Sequence, residues 1–96
     1  MIVYIDTSDL VKLYVDESGS DAIKEIVHKA TVISTSKVAY AEARSAFARK
    51  QRDAGFSAKV LRKIVEDFNR VWESYFVIEV TDGLIRSAGD IAEKHL

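Results

Sequence analysis

The stretch that decides the fold opens the chain: Met1-Ile2-Val3-Tyr4-Ile5-Asp6-Thr7-Ser8-Asp9-Leu10-Val11. Its apolar residues at positions 2–5 run without a break, which is typical of a parallel β-strand buried on both faces. The residues after Asp6 take helical spacing at once, so Asp6 is expected at the carboxyl end of this strand. Ligands of open α/β sheets bind at that edge. Asp6 is therefore either a cap for the next helix or the first group of an active site.

Apolar spacing along the rest of the chain predicts that helices and strands alternate. Helices are predicted over residues 7–15, 21–30, 36–54, 57–74 and 82–96, and further strands over 31–35 and 76–80. A hydroxyl of Thr7 or Ser8 is expected to cap the first helix, and Ser36 the third. Because helices separate all three strands, we expect an α/β fold with a parallel sheet and right-handed crossovers.

The composition limits the class of protein. A chain of 96 residues is expected to form one domain, and 48% hydrophobic with 30% charged residues is typical of a soluble globular protein. The chain has no cysteine, which excludes disulfides, thiolate metal sites and cysteine nucleophiles. It shows neither an apolar leader nor a run of about 18 apolar residues, so a cytoplasmic location without a membrane partner is expected.

Positive charge is concentrated in the middle third of the chain. Residues 37–70 contain nine basic and four acidic side chains, although the whole chain has a net charge of −1. Such a distribution permits a polyanionic partner without proving one.

Glu42 is a second carboxylate of interest because nothing on its own helix neutralises it. The residues three and four positions away carry no charge: Val38, Ala39, Ser45 and Ala46. Glu42 also lies on the margin of an apolar stripe, a position that suits the lip of a cleft. A partly buried, unpaired carboxylate is costly, so a cation partner is expected. The alternative is a glutamate that simply reaches water, and the spacing leaves both interpretations open.

Asp6 and Glu42 are more informative together than apart. Two carboxylates about 4 Å apart repel by about 4 kcal/mol at an effective dielectric constant of about 20. A divalent cation between them turns that cost into a gain, and Mg²⁺ is typically held by one or two carboxylates with water and substrate phosphates. The pair therefore indicates metal-assisted hydrolysis, in which the ion generates a hydroxide and stabilises charge on phosphate.

Two signatures in the chain resemble PIN-domain ribonucleases, especially the VapC-type toxins of toxin–antitoxin pairs. The first is the opening strand with Asp6-Thr7-Ser8 and the short apolar helix after it. The second is Ser34-Thr35-Ser36 followed by Tyr40-Ala41-Glu42-Ala43-Arg44-Ser45-Ala46-Phe47-Ala48-Arg49, where the family has a tyrosine or similar residue before a glutamate. Each tripeptide is a weak signal, but both signatures at this spacing and in this order of elements are a strong one.

The resemblance implies a function and a role for several residues. Asp6 and Glu42 would be metal-site carboxylates for Mg²⁺ or Mn²⁺, and Ser8 the hydroxyl that orients the site or a metal-bound water. Thr7 would serve the turn, and Asp9 would be a first-turn acid or an outer ligand. The implied activity is that of an endoribonuclease acting on RNA, with a cognate antitoxin protein as partner and a homodimer as assembly. The alternative is a catalytically inactive domain that binds RNA or an antitoxin.

The chain departs from the family in its last third. The family has further acids after the helix predicted here over 82–96, and neither Asp82 nor Asp90 matches them; we interpret Asp82 as a cap and Asp90 as solvated. The implied fold is a three-layer α-β-α sandwich with strand order 3-2-1-4-5, and no fourth strand is predicted here. Residues 1–96 are therefore expected to be a single PIN-like domain, incomplete at its C-terminus, whose first strand is an exposed edge.

Basic residues supply the candidate contacts with RNA. Arg44 and Arg49 share the predicted helix of Glu42 and could meet phosphate groups through salt-sensitive attraction. Lys59, Arg62 and Lys63 are interpreted as a solvated face, because Glu66 and Asp67 follow Arg62 and Lys63 at i+4. Trp72 is expected in the core.

Overall fold

In the computed structural model, which describes residues 1–79, helices and strands alternate as predicted. The elements are β1 (Ile2–Tyr4), α1 (Thr7–Lys12), α2 (Ser20–Lys29), β2 (Val32–Ser36), α3 (Val38–Ala54), α4 (Ala58–Trp72) and β3 (Phe76–Ile78). The helix predicted over 82–96, with Asp82 and Asp90, lies outside the described residues. None of the four helices within 1–79 is long and apolar enough to cross a membrane.

The three strands form a parallel sheet in the order β1-β2-β3. In the register, Tyr4 lies beside Ser34 and Ser34 beside Phe76. A parallel sheet flanked by helices confirms the predicted α/β class. Within residues 1–79, β1 pairs only with β2 and is the edge strand of the described sheet.

The outer strands of this sheet are buried on one face and exposed on the other. Ile5 and Thr35, on the face that packs against the helices, are 1% and 0% exposed. On the opposite face Ile2 and Phe76 are 75% and 65% exposed. The prediction that the first strand is buried on both faces is therefore wrong for the described residues, because the core that contacts the sheet lies on one side of it.

An aromatic cluster joins α3, α4 and the segment that follows α1 over the buried face of the sheet. It consists of Tyr14, Tyr40, Phe47, Phe68, Trp72 and Tyr75. Phe68 lies at its centre, fully buried, with ring centroids of Tyr14 and Phe47 each 5.2 Å away in edge-to-face geometry. Such pairs contribute about 0.5–1.5 kcal/mol each beyond the area they bury. The cluster fixes α3 against α1 and so sets where Glu42 lies relative to Asp6.

The ends of the long helices follow the expected chemistry at most positions. Gly55 ends α3 with a φ of 74°, a left-handed conformation that glycine adopts without a Cβ clash. Ser57 caps α4 by accepting a hydrogen bond from the Val60 amide at 3.2 Å. Ser36 is instead the last residue of β2, and α3 begins two residues later with no side-chain cap at Lys37. Its hydroxyl still accepts a hydrogen bond from the Val38 amide at 3.3 Å.

Candidate active site

Asp6 lies just beyond β1, where the chain turns from strand to helix. Its backbone is extended, and its Oδ1 accepts hydrogen bonds from the Asp9 amide at 3.1 Å and from the Ser8 hydroxyl at 3.0 Å. Asp6 itself is therefore the N-cap of α1, and the prediction that Thr7 or Ser8 supplies the cap is wrong. Capping and ligation are not exclusive, since a carboxylate can accept several bonds at its two oxygens.

The hydrogen bonds to Asp6 stabilise its charged form. The Asp9 amide contributes most, followed by the Ser8 hydroxyl, and together they hold the pKa of the Asp6 carboxyl below its ordinary value. Lys12 adds a weaker attraction. Lys12 also binds Asp9 at 3.2 Å, so the first-turn acid is engaged in a local ion pair. Asp6 is thus a permanent carboxylate at neutral pH, the form that a metal ion needs.

Glu42 faces Asp6 from the second turn of α3. It is exposed, and its Oε1 accepts a hydrogen bond from the Thr7 hydroxyl at 3.4 Å. Thr7 therefore does more than serve the turn, because it connects the start of α1 to α3. Within residues 1–79 no lysine or arginine lies within 4.0 Å of the Glu42 carboxylate. The cation partner that the sequence predicts for Glu42 is not found among these residues.

A cavity of about 450 Å³ brings the predicted site residues together. We call it the carboxylate cavity; it is lined by Tyr4, Asp6, Thr7, Ser8, Ser36, Val38, Ala39 and Glu42. Its floor comes from the carboxyl ends of β1 and β2, and its wall from the first turn of α1 and the first two turns of α3. Small side chains at Ser36 and Ala39 leave the space open. Asp6, Ser8 and Glu42 therefore lie in one concave site, at the edge where parallel sheets bind ligands.

The donor atoms around the carboxylate cavity suit a hard divalent cation. Asp6 and Glu42 offer carboxylates, and the neighbouring side chains offer hydroxyl oxygens, with no imidazole or thiol among the lining residues. Residues 1–79 contain no cluster of three or more acids, histidines or cysteines able to hold a metal. The lining thus fits an ion such as Mg²⁺, which accepts one or two carboxylates and completes its shell with water and substrate oxygens.

The two candidate RNA-binding arginines lie in different surroundings. Arg49 lines two cavities that adjoin the carboxylate cavity, one through Glu42 and the other through Thr7 and Ser8. Arg44 instead donates to the Tyr40 hydroxyl at 2.9 Å, with its guanidinium carbon 5.8 Å from the centre of that ring. The structure brings Arg49 to the candidate site and directs Arg44 towards α4.

Two features near the site escaped the sequence analysis. Lys50 lines the cavity beside Ser8 and is paired with Glu17, and its position next to Arg49 in the basic middle third was the available signal. Asn69 accepts a hydrogen bond from the Tyr40 hydroxyl at 2.6 Å. No local pattern indicates Asn69, because it meets Tyr40 only through the packing of α4 on α3.

Comparison with known proteins agrees with the fold and the signatures. A family profile described as the PIN domain matches residues 3–96. Two ribonucleases of Mycobacterium tuberculosis, VapC45 of strain CDC 1551 / Oshkosh and VapC49 of strain H37Rv, are each 29% identical to the chain over 94 residues. These alignments cover 98% of this chain and 65% of each relative, so the chain spans about two thirds of their length. The resemblance to VapC-type PIN ribonucleases is thereby confirmed, and the chain belongs to the PIN-domain family.

Proposed function

We propose that this chain is a divalent-metal-dependent endoribonuclease, the toxin of a toxin–antitoxin pair. The observation that carries the proposal is the carboxylate cavity, which gathers Asp6, Ser8 and Glu42 at the carboxyl edge of a parallel sheet. The PIN-domain match and the two related ribonucleases support the same class of activity.

In this proposal Asp6 and Glu42 hold Mg²⁺ or Mn²⁺. When bound there, such an ion would activate water and offset negative charge on phosphate. The chain's own residues prepare the site: the Asp9 amide and the Ser8 hydroxyl keep Asp6 ionised and oriented. The Thr7 hydroxyl, 3.4 Å from Glu42 Oε1, orients the second carboxylate.

Arg49, joined by Lys50 once that residue leaves its ion pair with Glu17, would bind the RNA backbone on one side of the scissile phosphate. Both line the cavity that also contains Thr7 and Ser8, so their charges lie next to the proposed metal site. Attraction of this kind is independent of sequence and weakens as salt is added. RNA binding by this surface therefore fits the excess of basic residues within 37–70.

The proposal also covers the protein partner, the oligomeric state and the cellular location of the chain. An antitoxin protein as partner, a homodimer and a cytoplasmic location follow from membership of the toxin branch of the family. That residues 1–96 form a single PIN-like domain is part of the same proposal.

Substitution of the two carboxylates tests the proposed activity. We expect Asp6→Asn and Glu42→Gln to lower the rate of RNA cleavage in Mg²⁺ or Mn²⁺ by about 100-fold or more, because loss of even an outer-shell partner of a metal costs about 10–100-fold. The measurement is cleavage of a labelled single-stranded RNA by the 96-residue chain.

Matched controls remove carboxylates of the same kinds from α2, where both are exposed. Asp21→Asn and Glu25→Gln should cleave RNA at the unaltered rate. Cleavage that persists at full rate in the Asp6→Asn protein would disprove the proposal.

One observation favours a second candidate function, an inactive PIN domain that binds RNA or an antitoxin. The part of the chain that the structure describes places two carboxylates, and no third acid, in the carboxylate cavity. This candidate predicts RNA binding that needs no metal and is not followed by cleavage. Product formation by the unaltered chain in Mg²⁺ decides between the two.

A further inference from the structure

A larger cavity, of about 570 Å³, lies on the other side of α3 from Glu42. We call it the aromatic cavity; it lies between α3 and α4 and is lined by Lys37, Tyr40, Ala41, Asn69, Trp72 and Glu73. Its size is within the range of small-ligand sites, which combine apolar walls with a few placed polar groups. No role in the proposed cleavage accounts for it.

The aromatic wall of this cavity is held rigidly by the core. The Tyr40 ring stacks on the fully buried Phe68 with centroids 5.3 Å apart and planes 17° apart. The Trp72 ring meets Tyr40 at 5.3 Å and Tyr75 at 5.8 Å, both edge to face. Tyr40 and Trp72 are nevertheless only half-buried. The cavity therefore presents preorganised aromatic surface to a ligand, which lowers the ordering cost of binding.

The side-chain amide of Asn69 provides a hydrogen-bond donor in the cavity. The Tyr40 hydroxyl donates to Asn69 Oδ1 at 2.6 Å and accepts from Arg44 Nη1 at 2.9 Å. Because Oδ1 is engaged, the amide nitrogen of Asn69 remains to donate to a ligand. No hydrogen bond joins that nitrogen to another residue within 1–79. A ligand with acceptor atoms on its edge would satisfy it.

The rim of the aromatic cavity carries balanced charge. The lining contains one basic and one acidic side chain, Lys37 and Glu73, and Lys37 Nζ also lies 3.5 Å from Glu79 Oε1. A rim without net charge does not select a strongly charged group. Such a cavity suits a neutral, planar group such as a nucleobase, and a phosphate attached to that base could reach Lys37 at the rim.

The aromatic cavity is continuous with the proposed cleavage site across a low ridge on α3. Ala41 lines both the aromatic cavity and the cavity that contains Glu42 and Arg49. Val38 and Ser45 complete the ridge, and all three side chains are small and exposed. A nucleic-acid strand could cross this ridge closely, over a distance of about one helix diameter, ~10 Å.

We propose that the aromatic cavity binds one unpaired nucleobase of the RNA strand whose neighbouring phosphate lies in the carboxylate cavity. The base stacks on Trp72, Asn69 donates to an acceptor on its edge, and Lys37 meets the adjoining phosphate. Unpaired bases bound by proteins are typically stacked on aromatic side chains and hydrogen-bonded along their edges. The inference rests on the proposed function and adds to it a binding site for one base beside the cleavage site.

Trp72 is the single tryptophan of the chain, so its fluorescence reports on this cavity directly. The 96-residue chain is titrated, in EDTA to prevent cleavage, with a short single-stranded RNA, an abasic oligomer of equal length and an RNA duplex. We expect saturable quenching by the single strand. Because base–aromatic stacking is lost, the abasic oligomer should bind about tenfold more weakly. The duplex should leave the signal unchanged, since its bases are paired.

A substitution on α4 tests the edge contact. Asn69→Ala should raise the KM for single-stranded RNA about tenfold and reduce discrimination among bases, with kcat retained, because the residue touches no reacting atom. Glu66→Ala, an exposed change on the same helix, should alter neither value. An Asn69→Ala protein that keeps its KM and its base preference would overturn the assignment.

The outcomes separate this inference from the proposed function. A chain that cleaves RNA without any change in Trp72 fluorescence overturns the base site and leaves the ribonuclease intact. Equal quenching by the abasic oligomer also overturns it, since only phosphate would then be bound. A signal from a synthetic apolar peptide but not from RNA assigns the cavity to a protein partner instead. Base-dependent quenching in a chain that cleaves nothing supports the base site and overturns only the ribonuclease.

Discussion

Helix α3 separates two regions that are built in opposite ways. On its buried side, Phe47 packs into the aromatic cluster, whose rings come from α3, α4 and the segments that follow α1 and α4. On its exposed side, Glu42 meets α1 through one long hydrogen bond to Thr7. One region is held by apolar burial and ring packing, and the other by a few polar contacts open to water.

The difference indicates which region stabilises the fold and which contains the proposed active site. Burial and edge-to-face packing contribute several kcal/mol, whereas exposed polar contacts contribute about 1 kcal/mol or less. The carboxylate cavity can therefore hold two like charges near each other because the cluster behind it fixes the elements that present them. Substitutions in the cluster should affect folding, and substitutions in the cavity should affect activity.

Removal of the central ring of the cluster should have the largest effect on stability. Phe68 is 0% exposed, and Phe68→Ala leaves a cavity among the rings of Tyr14, Tyr40 and Phe47. We expect the free energy of unfolding to fall by about 3–5 kcal/mol. Urea denaturation followed by circular dichroism measures the change.

An exposed valine on the same helix provides the control for Phe68→Ala. Val60 is 45% exposed, so Val60→Ala should change the free energy of unfolding by about 0.5 kcal/mol or less. If Phe68→Ala and Val60→Ala cost the same, the aromatic cluster is not what holds α3 and α4 together. A Phe68→Ala chain that does not fold, beside a folded Val60→Ala chain, agrees with the prediction.

Asp6 caps α1 and also belongs to the proposed metal site, and two substitutions separate these roles. Asp6→Ala removes the cap of α1 and should lower the free energy of unfolding by about 1 kcal/mol. Asp6→Asn keeps an oxygen that accepts the Asp9 amide, so stability should change little while RNA cleavage is lost. Urea denaturation and cleavage assays on both proteins provide the measurement. Equal stability of the two variants would show that the bond to the Asp9 amide contributes nothing.

The acid dependence of stability follows from the same hydrogen bonds. The pKa of Asp6 in the folded chain lies below its ordinary value of 3.8, since the charged form accepts bonds from the Asp9 amide and the Ser8 hydroxyl. Its contribution is therefore fully present above pH ~4 and is lost as the pH falls through the folded-state pKa. Asp6→Asn has no charge to lose, so its unfolding curve should depend less steeply on pH below ~4. A parallel dependence in both proteins would contradict this assignment.

The fold and the members of the site could be predicted because local patterns encode them. The apolar run before Asp6 and the helical spacing after it fixed the strand–helix turn, and Gly55 and Ser57 marked the boundary between α3 and α4. Asp6, Ser8 and Glu42 were recognised from two signatures, and the structure places them around one cavity. Their roles as metal-site groups stay predictions.

The features that could not be predicted depend on contacts between distant segments. Thr7 and Glu42 are 35 residues apart, and Tyr40 and Asn69 are 29 apart, so neither hydrogen bond leaves a local pattern. The exposed face of β1 was missed for a related reason. An apolar run indicates that burial is possible, but whether a helix covers each face is a property of the assembled sheet.

The smallest expected effect concerns the two arginines of α3 in the proposed binding of RNA. Arg49 adjoins the carboxylate cavity, whereas Arg44 donates to the Tyr40 hydroxyl. The variants are made in an Asp6→Asn protein, which should not cleave the RNA. Arg49→Gln should reduce the slope of log affinity against log salt concentration by about 0.7, because one contact with a phosphate of single-stranded RNA is lost. Arg44→Gln should reduce it less, and Lys24→Gln on α2 should leave it unchanged. Fluorescence anisotropy of a labelled RNA over a range of salt concentrations measures all three. Equal slopes in the Arg49 and Lys24 variants would show that the RNA backbone does not follow the exposed side of α3.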